Sequence, residues 1–515
     1  MDSSHQPRVC ISLCEPTLEA FKAALTNCKN CDLVEIRLDC LESSELETAA
    51  ERVTQLLKHF NLETILTLRP WGRGGEPLSD ETRLGFWSGA IFSESFFDVE
   101  LDLAEQFIGN ETLSLPIDWS RTICSHHDFE EVPAQVDQIY ERLSSTPAGV
   151  LKIAAQANDV TDCLPLFQLL ERAHTEGRQL IAIAMGHAGV ATRILGPSRG
   201  AFLTYAAPED GRATAPGQFS WREMSDVYRI AQIDRKTEVF GLVGFPAFHS
   251  FSPHIQNAAF AAAELNAVYL PLEAKDVGAF LRRMVHPRTR EANLNIKGLS
   301  VTAPHKVAVL EYLDWIEPLA SEIGAVNTIV VKEDGLHGYN KDAAGFIAPL
   351  MKTYGDLGGA NCALIGAGGA ASAAVWALQR AGARTTVFAR DLAKAKALAE
   401  RFRAGHDVLN EAKCSEFDVV VNATPLGSVG ELESETPVVA SQLRGARLAY
   451  DLVYNPGKTR FLREAQKAGC EVLGGLPMLI AQAVEQFKLW FEADAPESVM
   501  YEAAERKLAE IAGRT

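Results

Sequence analysis

The sequence predicts two α/β units in tandem: a (β/α)8 barrel, then a two-domain α/β dehydrogenase with a Rossmann-type NADP domain. Two observations support this prediction. Over about the first 220 residues, eight short apolar runs alternate with longer amphipathic stretches, which is the count and size of a (β/α)8 barrel. Near residue 361, "NCALIGAGGAA" reads as a strand that runs into a glycine-rich turn and a helix, the order typical of a dinucleotide-binding fold.

The predicted barrel strands are the eight apolar runs Val9–Leu13, Leu33–Arg37, Thr64–Arg69, Phe97–Glu100, Thr122–Ser125, Val150–Ile153, Leu180–Met185 and Ala201–Thr204. The helix predicted between the last two runs has the least support from the sequence, because that connection is short. Polar side chains stand where these strands end. Because the carboxyl ends of barrel strands meet at one mouth, we expect these side chains to converge there. They are Arg37, Arg69, Glu100, His127 and Lys152.

The pattern changes after the barrel. We predict a barrel over 1–222 and a linker over 223–237, in which a helix leads into a charged connector. A second α/β unit follows over 238–343, with a helix at about 475–491 returning to it. The nucleotide-binding domain occupies 344–474, and 492–515 form a helical tail.

Composition excludes several classes of protein. The formal net charge is −18, whereas nucleic acids and anionic membranes select basic surfaces. The N-terminus lacks the apolar core of a signal peptide, and no run of about 18 apolar residues occurs. We therefore expect a soluble cytoplasmic protein without a metal centre. We also expect the ten cysteines to be reduced, and the pair Cys28 and Cys31 to be incidental thiols.

Lys152 stands inside the apolar strand of "GVLKIAA". Burial disfavours the ammonium form and frees the amine to attack a ketone. His127 ends the preceding strand in "SHHDF", where it can take and return a proton beside a Schiff base. Only one of His126 and His127 can face the mouth, and the sequence leaves the choice open. An isolated lysine here would be read as a strand-end residue whose amine reaches solvent.

Seven motifs in order over residues 8–218 resemble type I 3-dehydroquinate dehydratase: "LVEIRLD", "TLRP", "DVELD", "SHHDF", "LKIA", "MGHAGVATR" and "TAPGQ". The resemblance implies that Lys152 forms the Schiff base, that His127 is the general acid and base, and that Arg193 pairs with the substrate carboxylate. It also implies further substrate-binding residues, namely Glu35, Arg37, Arg69, Thr214 and Gln218.

One departure affects the expected rate. Where this family carries a glutamate, the turn "GRGG" places Arg73. A cation near the histidine would depress its pKa and remove an orienting acceptor. We therefore expect a slower dehydratase, with an impaired or sensor-like barrel as the alternative. A shift of the loop would let Glu76 substitute for that glutamate.

In the nucleotide-binding motif, Gly366 permits a tight turn, and Gly368 lets the backbone approach a pyrophosphate at a helix N-terminus. Arg390 follows the next strand where NAD enzymes carry an acidic residue, which favours NADP(H), although Asp391 directly after it opposes this preference. The predicted cofactor contacts are Gly366, Ala367, Gly368, Gly369, Ala370, Arg390 and Thr424.

Lys306 in "GLSVTAPHK" and Asp342 in "GYNKDAAG" both follow strand-like runs. A lysine paired with a carboxylate can protonate a developing alkoxide as hydride arrives. A surface salt bridge would explain the pair equally well without the neighbouring motifs. These motifs are "GLVGFPAFHSFSP", "GLSVTAPHK", "GAVNT", "GYNKD", "GAGGAA", "NATPLG", "YDLVYNP" and "MLIAQA".

Together they resemble shikimate dehydrogenase over residues 239–490. The resemblance implies that Lys306 and Asp342 form the catalytic pair. The implied substrate-binding residues are Ser250, Ser252, Thr302, Asn327, Tyr454 and Gln482. Two positions depart from this family. Ser300 replaces an asparagine, and Lys341 replaces a threonine beside the catalytic aspartate. The added cation could lower the pKa of that aspartate, strengthen binding of the substrate carboxylate, or shift the preference towards a related ring acid such as quinate.

The two resemblances describe consecutive reactions. We expect a bifunctional shikimate-pathway enzyme that dehydrates 3-dehydroquinate to 3-dehydroshikimate and then reduces this product to shikimate with NADPH. The alternatives are a catabolic quinate/shikimate dehydrogenase and a dehydrogenase whose barrel only senses its ligand. The expected partners are these small molecules, without nucleic acid or membrane. The oligomeric state and any channelling between the sites stay open.

Overall fold

In a computed structural model the chain divides into two compact units. The first comprises Met1–Thr237 with Leu270–Asp276 and Glu291–Asn295, and the second comprises the other residues. The structure describes residues 7–28, 31–46, 49–60, 62–70, 78–89, 95–109, 118–209, 213–409 and 414–513.

The first unit contains a parallel eight-stranded sheet in the order β7-β6-β5-β4-β3-β2-β1-β8. Its strands are β1 Val9–Leu13, β2 Leu33–Arg37, β3 Glu63–Thr67, β4 Phe96–Glu100, β5 Thr122–Asp128, β6 Val150–Gln156, β7 Gln179–Met185 and β8 Thr204–Ala206. Its helices are α1 Leu18–Asn27, α2 Ser43–Leu46, α3 Ala49–Leu57, α4 Asp80–Gly89, α5 Leu101–Gly109, α6 Val136–Ser144, α7 Cys163–Thr175 and α8 Val190–Leu195. A parallel bridge between Leu180 and Ala201 nearly closes the ring, so the predicted barrel is confirmed.

Apolar side chains fill one end of the barrel and polar side chains the other. Each of β1 to β6 contributes one residue to a buried apolar cluster and β7 contributes two, namely Cys10, Leu33, Ile65, Phe96, Ile123, Val150, Ile181 and Ile183. Towards the carboxyl ends of the strands, Glu100 is level with Ser125, and Ser125 with Lys152. The apolar residues therefore fill the barrel on the amino-terminal side of the polar residues.

Two sequence predictions within the first unit are wrong in detail. The eighth strand begins at Thr204 rather than Ala201, because Ala201 makes only an isolated bridge before the chain turns to pair with β1. The segment after the barrel is not an α-helix followed by a connector. It forms a π-helical turn over Glu223–Val227 and a 3-10 turn over Ile230–Gln232.

The rest of the chain contains two six-stranded sheets, ordered β10-β9-β11-β13-β14-β12 and β17-β16-β15-β18-β19-β20, and every strand of them except β10 lies wholly in the second unit. The strands are β9 Glu238–Gly244, β10 Ala267–Glu273, β11 Ile296–Val301, β12 Trp315–Ile316, β13 Thr328–Lys332, β14 Gly335–Tyr339, β15 Asn361–Ile365, β16 Arg384–Ala389, β17 Gly405–Val408, β18 Val419–Asn422, β19 Leu448–Asp451 and β20 Glu471–Leu473. The second sheet is parallel, and its strand order reverses at β15 and β18, where doubly wound folds bind ligands.

The helices of the second unit are α9 Ser252–Ala262, α10 Val277–Phe280, α11 Pro318–Ile323, α12 Asp342–Tyr354, α13 Gly369–Arg380, α14 Leu392–Phe402, α15 Ala440–Leu443, α16 Arg460–Ala468, α17 Leu476–Phe491 and α18 Glu497–Ala512. The two helices predicted near the C-terminus are present as α17 and α18. Helix α17 packs on α12 and α9, and α18 packs on α9. In the described ranges, no helix combines the length and apolarity needed to cross a membrane.

The prediction that all cysteines are reduced is wrong for one pair. Cys14 and Cys40 are joined by a disulfide. Cys14 follows β1 and Cys40 ends the turn after β2, and the pairing of these two strands brings the cysteines together. Cys28 and Cys31 are not joined by a disulfide.

Candidate active sites

The carboxyl ends of the barrel strands enclose a cavity of about 470 Å³. All eight residues predicted for the dehydratase site line this cavity, namely Glu35, Arg37, Arg69, His127, Lys152, Arg193, Thr214 and Gln218. Arg73 and Glu76 lie outside the described residues, so the effect of the altered turn stays a prediction.

Lys152 is buried in the cavity wall with only 5% of its surface exposed. Its Nζ donates hydrogen bonds to Asp98 Oδ2 at 2.8 Å and to the Tyr205 hydroxyl at 3.0 Å. Glu35 Oε1 lies 3.8 Å from the same nitrogen. Two carboxylates therefore lie within 4 Å of the buried nitrogen.

Asp98 is the buried carboxylate at the centre of this polar layer. Arg69 donates to both of its oxygens, at 2.7 and 2.8 Å, and Ser125 Oγ donates at 2.6 Å. Burial raises the pKa of Asp98, but Arg69 and Lys152 outweigh burial and hold the pKa well below its usual value. Asp98 is therefore a permanent anion beside the amine.

The structure separates the two histidines. Burial lowers the pKa of His127 well below its usual value, and the neighbouring Arg69 and Lys152 lower it further. Its Nδ1 is buried with no hydrogen-bond partner among the described residues. His126 also borders the cavity, but the charges that act on it are Asp128, Asp102 and Arg142. His127 is thus the histidine that faces Lys152, and it is neutral near pH 7.

Arg193 differs from the other arginines of the cavity. Arg37 pairs with Asp39 at 2.7 Å and Arg69 pairs with Asp98. Arg193 is 2% exposed, and within the described ranges the sole hydrogen bond of its side chain runs from Nη2 to the Pro216 carbonyl at 3.5 Å. Burial lowers its pKa to about 10. A buried cation without a carboxylate partner is suited to an anionic ligand.

Three polar residues of this site escaped the sequence prediction. Asp98 stands two positions before Glu100 in the same strand, so alternation could have placed both on the inner face. Ser125 ends the predicted fifth strand and could have been found in the same way. Tyr205 was missed because the eighth strand was predicted to end one residue before it.

A second cavity of about 220 Å³ lies in the second unit. The eight residues predicted for the dehydrogenase site all line it, namely Ser250, Ser252, Thr302, Lys306, Asn327, Asp342, Tyr454 and Gln482. Lys306 Nζ lies 2.5 Å from Asp342 Oδ2, and Asn327 Nδ2 donates to the other carboxylate oxygen at 2.9 Å. The carboxylate is 4% exposed, so the pair is not a surface salt bridge.

A buried hydrogen-bonded chain behind this cavity was also missed. The Tyr269 hydroxyl donates to Ser300 Oγ at 2.7 Å, and Ser300 donates to Gln486 Oε1 at 2.7 Å. Gln486 Nε2 donates to Thr328 Oγ1 at 3.0 Å. Ser300, one of the two departures noted above, therefore joins the cavity wall to helix α17.

The second departure lies elsewhere. The Lys341 side chain points towards Glu317, with 3.7 Å between Nζ and Oε1, and it lines a separate cavity that includes Trp376. Its backbone N–H donates to Asn327 Oδ1 at 2.7 Å. Lys341 thus contributes its backbone to the site and directs its charge away from the cavity that holds Asp342.

The glycine-rich turn has the geometry that a dinucleotide needs. Gly366 has φ of 125° and lies against the Ala423 carbonyl, where an added Cβ would approach within 2.8 Å. Around Gly368 no atom lies within 4 Å of an added Cβ, so the backbone is open to a ligand at the start of α13. Thr424 is fixed at the adjoining strand end, since its backbone N–H and hydroxyl both donate to Asn422 Oδ1.

Arg390 and Asp391, the two charged residues that follow β16, differ in their hydrogen-bond partners. Asp391 caps helix α14 by accepting from the backbone N–H groups of Ala393 and Lys394. Arg390 is exposed and has no carboxylate partner within the described ranges. The residues present therefore fit a dinucleotide with a 2′-phosphate. No cluster suited to a metal ion occurs among the described side chains.

Comparisons with known proteins cover both units. A family model described as type I 3-dehydroquinase matches residues 9–235. The shikimate dehydrogenase substrate-binding domain model matches 242–329, the shikimate/quinate 5-dehydrogenase model matches 350–434, and the shikimate 5′-dehydrogenase C-terminal domain model matches 475–505.

Individual relatives extend the comparison to the whole chain. A chloroplastic bifunctional 3-dehydroquinate dehydratase/shikimate dehydrogenase of Arabidopsis thaliana is 32% identical over 499 residues, covering 92% of this chain and 79% of that protein. A shikimate dehydrogenase (NADP(+)) of Dehalococcoides mccartyi is 40% identical, covering 53% of this chain and 96% of that protein. The solved dehydroquinate dehydratase and shikimate dehydrogenase of S. pombe AroM is 25% identical with a TM-score of 0.42, covering 97% of this chain and 98% of that one.

Proposed function

Because the chain belongs to the family of bifunctional 3-dehydroquinate dehydratase/shikimate dehydrogenases, we propose that it catalyses both reactions, one in each unit. The barrel dehydrates 3-dehydroquinate to 3-dehydroshikimate, and the second unit reduces this product to shikimate with NADPH. The observation that supports this function most strongly is the presence, in each unit, of a cavity in which a lysine is hydrogen-bonded to a buried carboxylate.

In the barrel, Arg193 binds the substrate carboxylate, for which it is the unpaired buried cation. The amine of Lys152 attacks the ketone and forms an iminium. His127, neutral because burial and neighbouring cations lower its pKa, removes the proton next to the iminium carbon and returns it to the departing hydroxyl. Asp98 balances the iminium charge throughout. The remaining substrate contacts are Glu35, Arg37, Arg69, Thr214 and Gln218.

In the second unit, Lys306 protonates the alkoxide that develops at the reduced carbon, and Asp342 holds the lysine in place. NADPH supplies the hydride when it is bound. Six residues bind the ring hydroxyls and carboxylate, namely Ser250, Ser252, Thr302, Asn327, Tyr454 and Gln482. Hydroxyls and amides select a polyhydroxylated ring because a poorly matched substrate would leave them buried and unpaired.

NADP(H) is the proposed cofactor. Gly366, Gly368 and the start of α13 hold the pyrophosphate, with Ala367, Gly369, Ala370 and Thr424 beside it. Arg390 is free to bind the 2′-phosphate, since Asp391 is engaged as a helix cap.

The domain boundaries predicted from the sequence, the cytoplasmic location and the absence of nucleic-acid or membrane partners remain part of this proposal. A barrel that only senses its ligand is not favoured, because the relative that spans 92% of the chain carries both activities in its name. A catabolic quinate dehydrogenase is likewise not favoured.

The test is borohydride trapping with 3-dehydroquinate followed by mass analysis of the tryptic peptides. The proposal requires turnover and a reduced adduct on Lys152. The matched control is Lys22→Met, which removes a lysine of helix α1 outside the cavity. If the intact chain gave no turnover and no adduct, the dehydratase function would be contradicted.

A further inference from the structure

Tyr205 lies on β8 and contacts the reacting amine of the barrel. Its side chain is buried, with 4% exposed, and lines the cavity. Lys152 Nζ donates to the Tyr205 hydroxyl at 3.0 Å and lies 4.4 Å from the centroid of the ring. This hydroxyl and the carboxylate of Asp98 are the two hydrogen-bond acceptors of Nζ among the described residues.

The Tyr205 hydroxyl can both accept and donate a hydrogen bond. It accepts from Lys152, but within the described ranges no acceptor receives its own hydrogen. Burial raises the pKa of Tyr205 well above its usual value, and the neighbouring Glu35 raises it further, so the group is a neutral phenol. A buried donor without a partner is costly unless a ligand supplies the acceptor. Its position beside Nζ makes the oxygen of an attacked ketone the natural acceptor.

We propose that Tyr205 is a catalytic residue of the barrel, whose hydroxyl relays protons between Lys152 Nζ and the oxygen of the carbinolamine. The proposal rests on the proposed Schiff-base function, and it concerns formation and hydrolysis of the imine rather than elimination. A carbinolamine oxygen is two covalent bonds from Nζ, so a hydroxyl that already binds Nζ can reach both atoms.

The protons balance within this relay. Attack forms the Nζ–C bond as the ammonium gives up one of its three hydrogens, and the electrons of the C=O π bond move onto the oxygen. The phenol donates its proton to that oxygen while it takes one from the nitrogen, so Tyr205 ends unchanged. A second transfer of the same kind protonates the hydroxyl, the C–O bond breaks, and the nitrogen lone pair forms the C=N bond. Of the three ammonium hydrogens, two leave in water and one stays on the iminium nitrogen.

Neighbouring groups are less suited to this transfer. A direct passage from nitrogen to oxygen would bend the hydrogen bond sharply, whereas passage through the phenol keeps both bonds closer to linear. Asp98 cannot relay, because Arg69 and Ser125 hold it as a carboxylate with no proton to donate. His127 has a separate role, which is to remove the ring proton and to protonate the departing hydroxyl.

The test uses the intact chain with Tyr205→Phe, which keeps the ring and removes only the hydroxyl. Mixing with 3-dehydroshikimate forms the iminium without elimination, and timed quenching with borohydride counts adducts on Lys152. We expect adduct formation to slow by about 100-fold, as for loss of a general acid–base group. With 3-dehydroquinate deuterated at the carbon that loses its proton, the isotope effect on kcat should shrink towards unity, since imine formation becomes limiting.

Tyr140→Phe is the matched control, because its hydroxyl binds Glu176 at 2.6 Å outside the cavity. It should leave the adduct rate unchanged. Replacing Tyr205 with 3-fluorotyrosine, a more acidic phenol of similar size, should keep the adduct rate at or above the wild-type value. Dehydrogenase activity in each preparation reports folding of the second unit, and a thermal melt reports folding of the barrel.

Two results would overturn the proposal: a wild-type adduct rate in Tyr205→Phe, or a slower turnover with an enlarged isotope effect, which would place the hydroxyl in the elimination step. If Tyr205→Phe fails to fold, the fluorotyrosine protein decides, because an adduct rate that falls would contradict a donor role. Absence of any adduct in the wild type would instead refute the Schiff-base function itself.

Discussion

Replacing Arg193 with methionine should stabilise the barrel and weaken substrate binding at the same time. Arg193 is buried without a carboxylate partner, so the folded protein keeps an uncompensated charge for its ligand. Methionine fills a similar volume without that charge. A residue retained for binding at a cost to stability should show these two effects with opposite consequences for the enzyme.

The size of the stability effect follows from the burial of the Arg193 side chain. The pKa of Arg193 falls from 12.5 to about 10 because of desolvation. At about 1.4 kcal/mol per pKa unit, the buried charge costs roughly 3 kcal/mol. The unfolded chain holds the proton more tightly, so this cost is present at every pH below about 10. Replacing a buried charge with an apolar side chain regains about 1 to 3 kcal/mol, or roughly 2 to 10 °C in a barrel of this size.

The binding effect is a loss of the charge-assisted hydrogen bonds to the substrate carboxylate, worth about 3 kcal/mol. KM for 3-dehydroquinate should therefore rise by about 100-fold. Calorimetry without ligand measures the first effect, and initial rates measure the second. Arg199→Met is the matched control, because Arg199 is also buried with a lowered pKa but does not line the cavity. It should leave KM unchanged.

The reasoning would be refuted if Arg193→Met lowered the melting temperature of the barrel while KM stayed at the wild-type value. That combination would make Arg193 a structural residue whose contacts stabilise the fold. A rise in KM with no change in kcat for 3-dehydroshikimate reduction would confine the effect to the barrel.

Three further predictions concern His127, Lys341 and Arg390. The folded-state pKa of His127 is lowered, so the unfolded chain takes up a proton at a higher pH than the folded chain does, and the barrel loses stability as the pH falls below about 6.5. Melting curves of His127→Asn at pH 5 and 7 should show a smaller loss of barrel stability at low pH, and an unchanged loss would contradict this. Lys341→Thr should keep kcat/KM for shikimate within about twofold, since only a weak pair with Glu317 is removed; a larger change would place its charge in the site. Arg390→Ala should raise KM for NADPH by about 10-fold to 30-fold and leave KM for NADH unchanged, and equal effects on both would refute the 2′-phosphate contact.

The sequence locates most of the fold because buried parallel strands read as apolar runs ended by polar residues. This signal fails at the eighth strand. The run from Ala201 to Ala207 is apolar almost without interruption, so nothing in it marks where pairing with β1 begins. Tyr205 was missed for that reason, although its contact with Lys152 decides its role.

Other features depend on neighbours that the sequence does not order. Asp98 becomes a fixed anion because Arg69 of the adjacent strand end reaches it, and no spacing in the sequence joins the two. Cys14 and Cys40 meet only through the pairing of β1 and β2. Lys341 lies directly before α12 with its side chain towards Glu317, and no spacing in the sequence joins these two residues.

The most direct test of bifunctionality is NADPH consumption by the intact chain supplied with 3-dehydroquinate and no other enzyme. The account predicts steady oxidation of NADPH with shikimate as the product. It also predicts that Lys152→Met abolishes oxidation from 3-dehydroquinate and retains it from 3-dehydroshikimate. Oxidation of NADPH by the wild type with 3-dehydroshikimate but none with 3-dehydroquinate would contradict the account.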